Sequence, residues 1–273
     1  MGLRAIATDL DGTLLRSDRS VSDRTRDAIH AAEDAGILVV IATGRPPRWI
    51  TPVAEQLGDR GLVVCANGAS VYDAARHELV HRLDLAPDVV LALVDDLQAA
   101  LPEALLGLEQ GFDFAVDGEI ENRPADLKAM TSWQSPGLRV GPIRSFLDQP
   151  VTKLIVRLRA APPGTAVRVQ AIVGDRARVT HSISESFLEL SHPDAHKATA
   201  VERLLERSGI AAADVVAFGD MPNDLELIRW AGLGVAVGNA HPVLKAEADE
   251  VTASNDEDGV AIVVERLLAE RHA

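Results

Sequence analysis

Asp9 and Asp11 stand two residues apart, just past the run Leu3-Arg4-Ala5-Ile6-Ala7 and Thr8, and Gly12 follows them. The run reads as a short buried strand. In extended chain, residues two apart point to the same side, so the acids leave the strand end as a pair unless the backbone bends between them. Gly12 lets the chain turn away. Two carboxylates held together repel and need a proton or a cation between them. A metal site is one reading. A polar Asp-Gly turn is the other, and taken alone these residues favour the turn.

Further along, Thr43-Gly44-Arg45 follows Ile37-Leu38-Val39-Val40-Ile41-Ala42, an aliphatic run typical of a strand buried on both faces. A hydroxyl and backbone amides there could cradle a phosphate; an ordinary strand-to-helix turn fits as well. Asn67-Gly68 after Leu62–Ala66 is by itself a plain turn. Gly219-Asp220-Met221-Pro222-Asn223-Asp224 follows the strand-like Val215–Phe218. A helix starting here sets Asp220 and Asp224, four apart, on one side, and Pro222 suits its first turn. Acids capping a helix are the competing reading. Capping, however, does not call for Asp220, Asn223 and Asp224 around one turn.

Taken together, Asp9, Asp11, Asp220 and Asp224 offer oxygen ligands only, which suits Mg2+. A carboxylate can attack phosphorus and form an aspartyl phosphate. A second acid two residues on could protonate the leaving oxygen and then deprotonate water. The phosphate charge calls for another cation. Lys197, at the head of a predicted helix, is the candidate, against the ordinary reading of a solvated surface lysine.

The elements that must position these residues alternate strand and helix. Ser22 can cap a helix over Ser22–Ala35, whose Thr25, Ala28, Ile29 and Ala32 form an apolar stripe ended by Gly36. A further helix is predicted within Pro46–Gly58. After an irregular stretch the rhythm resumes, with helices over Lys197–Ser208, Asn223–Ala231 and Asp258–Glu270 and a strand over Leu233–Val237. Strands separated by helices imply an α/β, Rossmann-like, doubly wound parallel sheet. Ligands bind beyond the carboxyl ends of such strands, where Asp9, Thr43 and Asn67 all fall. The intervening stretch has its own apolar segments: a helix over Val89–Ala100, strands over Phe112–Val116, Lys153–Leu158 and Phe187–Leu190, and a helix over Gly164–Val173. It reads as an inserted α+β domain over 83–189, between core segments 1–82 and 190–273.

Composition narrows the class. Of 273 residues, 47% are hydrophobic, enough for a full core, and the charge of 27 − 41 = −14 does not suit bulk neutralisation of nucleic acid. Cys65, the single cysteine, sits in a core-like run and reads as a buried thiol. There is no signal-peptide pattern and no membrane-spanning run, so a cytoplasmic location is expected. Gly232–Gly238 loosely matches a dinucleotide fingerprint, but its glycines flank a strand instead of opening a helix. His81, His181, His192, His196 and His241 lack zinc-ligand spacing. No Gly-x-Ser-x-Gly elbow is present.

The ordered motifs resemble those of the haloacid dehalogenase superfamily, and within it the Cof-type phosphatases with a type IIB cap. Asp9-Leu10-Asp11-Gly12-Thr13, Thr43-Gly44-Arg45, Lys197 and Gly219–Asp224 are similar to that superfamily's four motifs in order. Asn67-Gly68, Gly234–Ala240 and Glu257-Asp258-Gly259-Val260 are similar to Cof-type stretches. The resemblance implies Asp9 as nucleophile and Mg2+ ligand, and Asp11 as general acid/base with its carbonyl on the metal. It implies Thr43, Gly44 and Lys197 on the phosphoryl group and Asp220 as a further metal ligand. Asn223, Asp224, Asn67 and Arg45 would be supporting residues. The insertion would be a cap that closes over the site and selects a small phosphorylated metabolite, such as a sugar phosphate, nucleotide or cofactor phosphate. A phosphomutase, or a phosphate-binding protein with negligible turnover, are the alternatives. His196 departs from the small residue the family commonly has before this lysine, and Leu188–Pro193 also departs from its usual run. In the insertion, Trp133, Phe112, Phe114 and Arg139 are available for specificity, with core packing the simpler role for the two phenylalanines. Oligomeric state is not legible.

Overall fold

A computed structural model describes residues 2–118, 138–181 and 184–271. In chain order the elements are β1 (Ala5–Thr8), α1 (Asp23–Asp34), β2 (Leu38–Ala42), α2 (Thr51–Gln56), β3 (Leu62–Cys65), β4 (Ser70–Asp73) and β5 (Glu78–Arg82). Next come α3 (Pro87–Ala100), β6 (Leu105–Gln110), β7 (Asp113–Asp117), β8 (Leu138–Gly141), β9 (Lys153–Arg157), α4 (Thr165–Val173), β10 (Arg178–Thr180) and β11 (Phe187–Ser191). The chain finishes with α5 (Lys197–Glu206), β12 (Val215–Gly219), α6 (Leu225–Trp230), β13 (Leu233–Ala236), α7 (Pro242–Glu247), β14 (Glu250–Val251) and α8 (Gly259–Arg271). They fall into two compact units: Met1–Arg45, Trp49–His81 and His196–Ala273 form one, and Pro46–Arg48 with Arg82–Ala195 the other.

In the first unit, eight strands lie in the order β14-β13-β12-β1-β2-β3-β4-β5. From β14 to β3 every pairing is parallel, and β4 returns antiparallel to β3. Every residue of β1 and β12 is buried, as their unbroken apolar runs require of strands covered on both faces. From β1 the chain winds outward to β2 and β3, then returns on the other side through β12. The reversal at β1 is a topological switch point, where loops diverge and leave a crevice. Asp9 and Asp220 leave the carboxyl ends of the two strands that meet there. The predicted cap is present: Ser22 Oγ accepts from the Thr25 amide at 3.0 Å, opening α1 at Asp23.

The second unit is a six-stranded sheet, β10-β11-β9-β6-β7-β8, antiparallel except for β7–β8. Alternation sends Leu106, Leu108, Leu154 and Leu188 to one face, where Val90 and Leu93 of α3 join one apolar core. Phe114, Ile155 and Phe187 form a smaller cluster of their own.

Three local expectations are revised. Only the short α2 and a 3-10 turn at Pro47–Trp49 form within Pro46–Gly58. The helix expected from Asn223 begins at Leu225, because Pro222–Asp224 takes a 3-10 turn tied down by the Asp224 side chain. Phe114 is buried, but Phe112 sits in the tight turn between β6 and β7 and is 40% exposed, so core packing is not its role. Arg139 bonds to Gln110 and Asp148 and lies over Phe146. Trp133 lies outside the described residues.

Candidate active site

A buried lysine gathers the acids. Lys197 opens α5, and its Nζ lies 2.5 Å from Asp9 Oδ1 and 2.7 Å from Asp224 Oδ1. Burial alone works against the ammonium, but Asp224 and then Asp9 outweigh it and raise its pKa above the ordinary lysine value. Lys197 is therefore a fixed charge, only 3% exposed, and not a surface lysine.

Asp9 is buried at the end of β1, and that burial raises its pKa well above the usual aspartate value. Lys197 opposes the rise, while Asp224 and Asp220 add to it. Asp220 follows β12; burial and then the Asp224 charge push its pKa up to about 6, against the pull of Lys197. Thr13 Oγ1 donates to Asp220 Oδ1 at 3.2 Å. One side-chain oxygen each from Asp9, Asp220 and Asp224 lies within 4.8 Å of the others. Three carboxylates facing one ammonium leave negative charge in excess, which a divalent cation would neutralise.

The three acids are not equivalent. Asp224 Oδ1 is on Lys197, and its Oδ2 accepts from the amides of Asp220 and Met221 at 3.2 and 3.1 Å. Asp224 is thus a cap and lysine anchor, as the competing reading of that turn had it, and it also completes the acid cluster. Among the described residues, no hydrogen bond reaches Oδ2 of Asp9 or Oδ2 of Asp220. These are the oxygens that fit a hard cation.

Asp11 leaves the cluster. Arg45 holds both of its oxygens, Nε to Oδ2 at 2.7 Å and Nη2 to Oδ1 at 2.6 Å, and its side chain is 53% exposed. The backbone bends between the two acids: Leu10 O accepts from the amides of Leu14 and Leu15, and Gly12 takes a left-handed φ of 78°. A Cβ at Gly12 would lie 2.5 Å from Asp220 Oδ2, so glycine is what lets the two motifs touch.

Thr43, Gly44, Arg45, Asn67 and Asn223 form an adjoining group. Thr43 Oγ1 accepts from the Arg45 amide at 3.1 Å, and Thr43 O from the Asn67 amide at 2.9 Å. Asn223 Nδ2 donates to Asn67 Oδ1 at 3.2 Å, and a Cβ at Gly44 would lie 3.3 Å from that oxygen. Ala66 and Asn67 both adopt left-handed φ, 55° and 56°, unusual for residues with a side chain. Among the described residues, Thr43 makes no hydrogen bond to Lys197 or to the acids.

Two asparagines that sequence reasoning gave no role hold the acidic loop. Asn239 Nδ2 donates to Gly12 O at 2.7 Å, and Asn255 Nδ2 to Leu15 O at 2.9 Å; the Asn255 amide in turn reaches Asn239 Oδ1. Gly238-Asn239-Ala240, a polar break just past a buried strand, was the available signal for the first. For Asn255 the Ser254–Glu257 capping box marks the turn, but not the bond to Leu15. No helix among the described residues is long and apolar enough to cross a membrane.

Comparison with known proteins bears on the whole chain. A family model described as haloacid dehalogenase-like hydrolase matches residues 6–264. The chain is similar to 5-amino-6-(5-phospho-D-ribitylamino)uracil phosphatase YcsE of Bacillus subtilis (strain 168), 30% identical over 95% of this chain and 93% of that protein. It is also similar to a phosphoglycolate phosphatase of Methanothermobacter thermautotrophicus (strain Delta H), 30% identical over 97% of this chain and 99% of the other. A haloacid dehalogenase-like hydrolase from Bacteroides thetaiotaomicron, known as a crystal structure, is 29% identical with a TM-score of 0.79, covering 97% of this chain and 99% of its own. With strand-end acids, a buried lysine and a match over nearly its full length, this chain belongs to the haloacid dehalogenase-like hydrolase family.

Proposed function

We propose that this protein is a Mg2+-dependent phosphatase that hydrolyses a small phosphorylated metabolite through an aspartyl phosphate on Asp9. The observation that carries the reading is Asp9 held through one oxygen by the buried Lys197, with its second oxygen unengaged and Asp220 alongside. The side chains of Asp9 and Asp220, with the Asp11 carbonyl implied by the family resemblance, would hold the metal. Bound there, Mg2+ would supply positive charge for the phosphate oxygens.

The chain's own groups divide the remaining work. Lys197 offsets charge on the transferring phosphoryl group, and the Thr43 hydroxyl and Gly44 amide bind its oxygens. Asp9 forms a new bond to phosphorus as the ester P–O bond breaks, and Asp11 gives its proton to the leaving oxygen. Asp11, now a carboxylate, takes a proton from water as the water oxygen attacks phosphorus. The Asp9–phosphorus bond breaks, phosphate leaves, and Asp9 is restored. Arg45 has to release Asp11 for both steps, since it engages both carboxylate oxygens. The inserted unit, 83–189 in the sequence reading, is assigned the role of a cap that selects among leaving groups.

The relatives' names support small phosphorylated compounds as the substrate class. The test is phosphate release across sugar phosphates, nucleotides, cofactor phosphates and phosphoglycolate, with Mg2+ and after chelation. Release is expected for at least one class, lost on chelation and in Asp9→Asn. Release that persists in purified Asp9→Asn would refute the assignment of the nucleophile.

A further inference from the structure

Lys197 can do its proposed work only while its Nζ stays between Asp9 and Asp224. The preceding residue, His196, has the extended backbone of an N-cap, φ −133° and ψ 141°, yet its side chain makes no capping bond. The ring reaches across to α6 instead, where Nδ1 lies 2.6 Å from Glu226 Oε2. A carboxylate only accepts, so Nδ1 carries the proton and donates. Glu226 stands two residues beyond Asp224, the second partner of Lys197. Consecutive residues at the head of α5 therefore grip two residues of the Asp224–Glu226 turn.

Two further contacts surround this grip. Trp230 Nε1 donates to Glu202 Oε1 at 3.1 Å, joining α5 to α6 farther along. Gly68 lies close against the His196 backbone: a Cβ there would lie 2.3 Å from His196 O. Gly68, at φ 105°, lets the Asn67-Gly68 turn lie directly against the head of α5. The His196 and Glu226 side chains are 25% and 47% exposed, and ion pairs that wet add little to global stability. The consequence of the pair is local orientation.

We propose that His196, through Glu226, is a positioning residue that fixes the head of α5 and with it the place of Lys197 Nζ during phosphoryl transfer. This rests on the phosphatase reading above. It gives a role to a residue whose side chain touches neither Asp9 nor Asp220 in any hydrogen bond of the described residues.

The test compares wild type, His196→Ala, His196→Gln, Glu226→Ala and the double alanine variant. Each is assayed for phosphate release from p-nitrophenyl phosphate and from one sugar phosphate, with thermal unfolding measured alongside. Each single alanine change is expected to lower kcat about 5- to 10-fold on both substrates, with KM within about twofold and Tm unchanged. The double variant is expected to be no slower than the worse single one, because both remove the same contact. His196→Gln, whose amide can still donate to Glu226, is expected to recover most of the loss. Wild-type kcat in His196→Ala, additive losses in the double variant, or a KM change that differs between the substrates would each overturn the inference. The last outcome would mean that His196 touches the leaving group. Absence of release by the wild type overturns the phosphatase reading, and this inference with it. Release by the wild type with unaltered kcat in His196→Ala overturns this inference alone.

Discussion

Lys197 Nζ and Asp224 Oδ1 lie 2.7 Å apart in a part of the protein where Asp224 has no exposed surface. The other oxygen of Asp224 holds the amides of Asp220 and Met221. Asp224→Ala would leave the buried ammonium with Asp9 as its one carboxylate partner in the cluster and deprive the Asp220 and Met221 amides of their acceptor. A loss of about 3–5 kcal/mol in unfolding free energy is expected. Asp224→Asn keeps an acceptor without the charge and should cost less, about 1–3 kcal/mol. Urea unfolding of the two variants measures the difference.

Asp9→Asn should separate activity from stability. The Asp9 carboxylate is disfavoured by its burial, and Lys197 keeps Asp224 when the Asp9 charge is removed. The variant is expected to release no phosphate while unfolding at a temperature no lower than the wild type in metal-free buffer. The rise in Tm caused by Mg2+ should shrink in the same variant. Calorimetry with and without Mg2+ checks both statements.

The pH dependence follows from Asp220. Its pKa is about 6 in the folded protein, raised from an ordinary 3.8, first by burial and then by Asp224. Above both values the ionised group costs the folded state free energy. As pH falls through about 6 toward 4, the folded protein takes up a proton that the unfolded chain does not, so this contribution makes the metal-free protein more stable. Protons and Mg2+ compete for the same oxygen. The Tm increase produced by Mg2+ is therefore expected to be larger near pH 7.5 than near pH 5.5, values that straddle this pKa. Asp220→Asn should flatten both trends.

Gly12→Ala is expected to act on the metal through Asp220. The new Cβ would lie 2.5 Å from Asp220 Oδ2, on a backbone with φ 78°. Displacing that oxygen should weaken Mg2+ binding about 10-fold. The left-handed backbone adds a stability loss of about 1–2 kcal/mol. Titration calorimetry with Mg2+ reads the first effect and thermal unfolding the second.

Legibility varied by the range of the interaction that decided each feature. Ser22 announced the start of α1 because an N-cap bonds to an amide three residues away. The runs that became β1, β2 and β12 were plain because strands covered on both faces exclude polar side chains. The edge strands β5, β8, β10 and β14 escaped notice, because their residues are more mixed and only their neighbours in the sheet make them strands; β4 and β6, inside their sheets, escaped notice as well. Asn255 was silent for a similar reason, since its partner Leu15 lies 240 positions away.

By itself the sequence determined which side chains reach the ends of the central strands, because alternation, apolar runs and turn residues are local properties of the chain. It therefore named Asp9, Asp11, Thr43 and Asp220 at strand ends, together with Lys197 at the head of a helix. Only the tertiary structure decided how those groups are paired. It buries Lys197 between Asp9 and Asp224, turns Asp11 outward onto Arg45, and occupies both oxygens of Asp224. These outcomes depend on the bend at Gly12 and on contacts between residues up to about two hundred positions apart, where the balance of burial against opposite charge is set by packing and not by spacing.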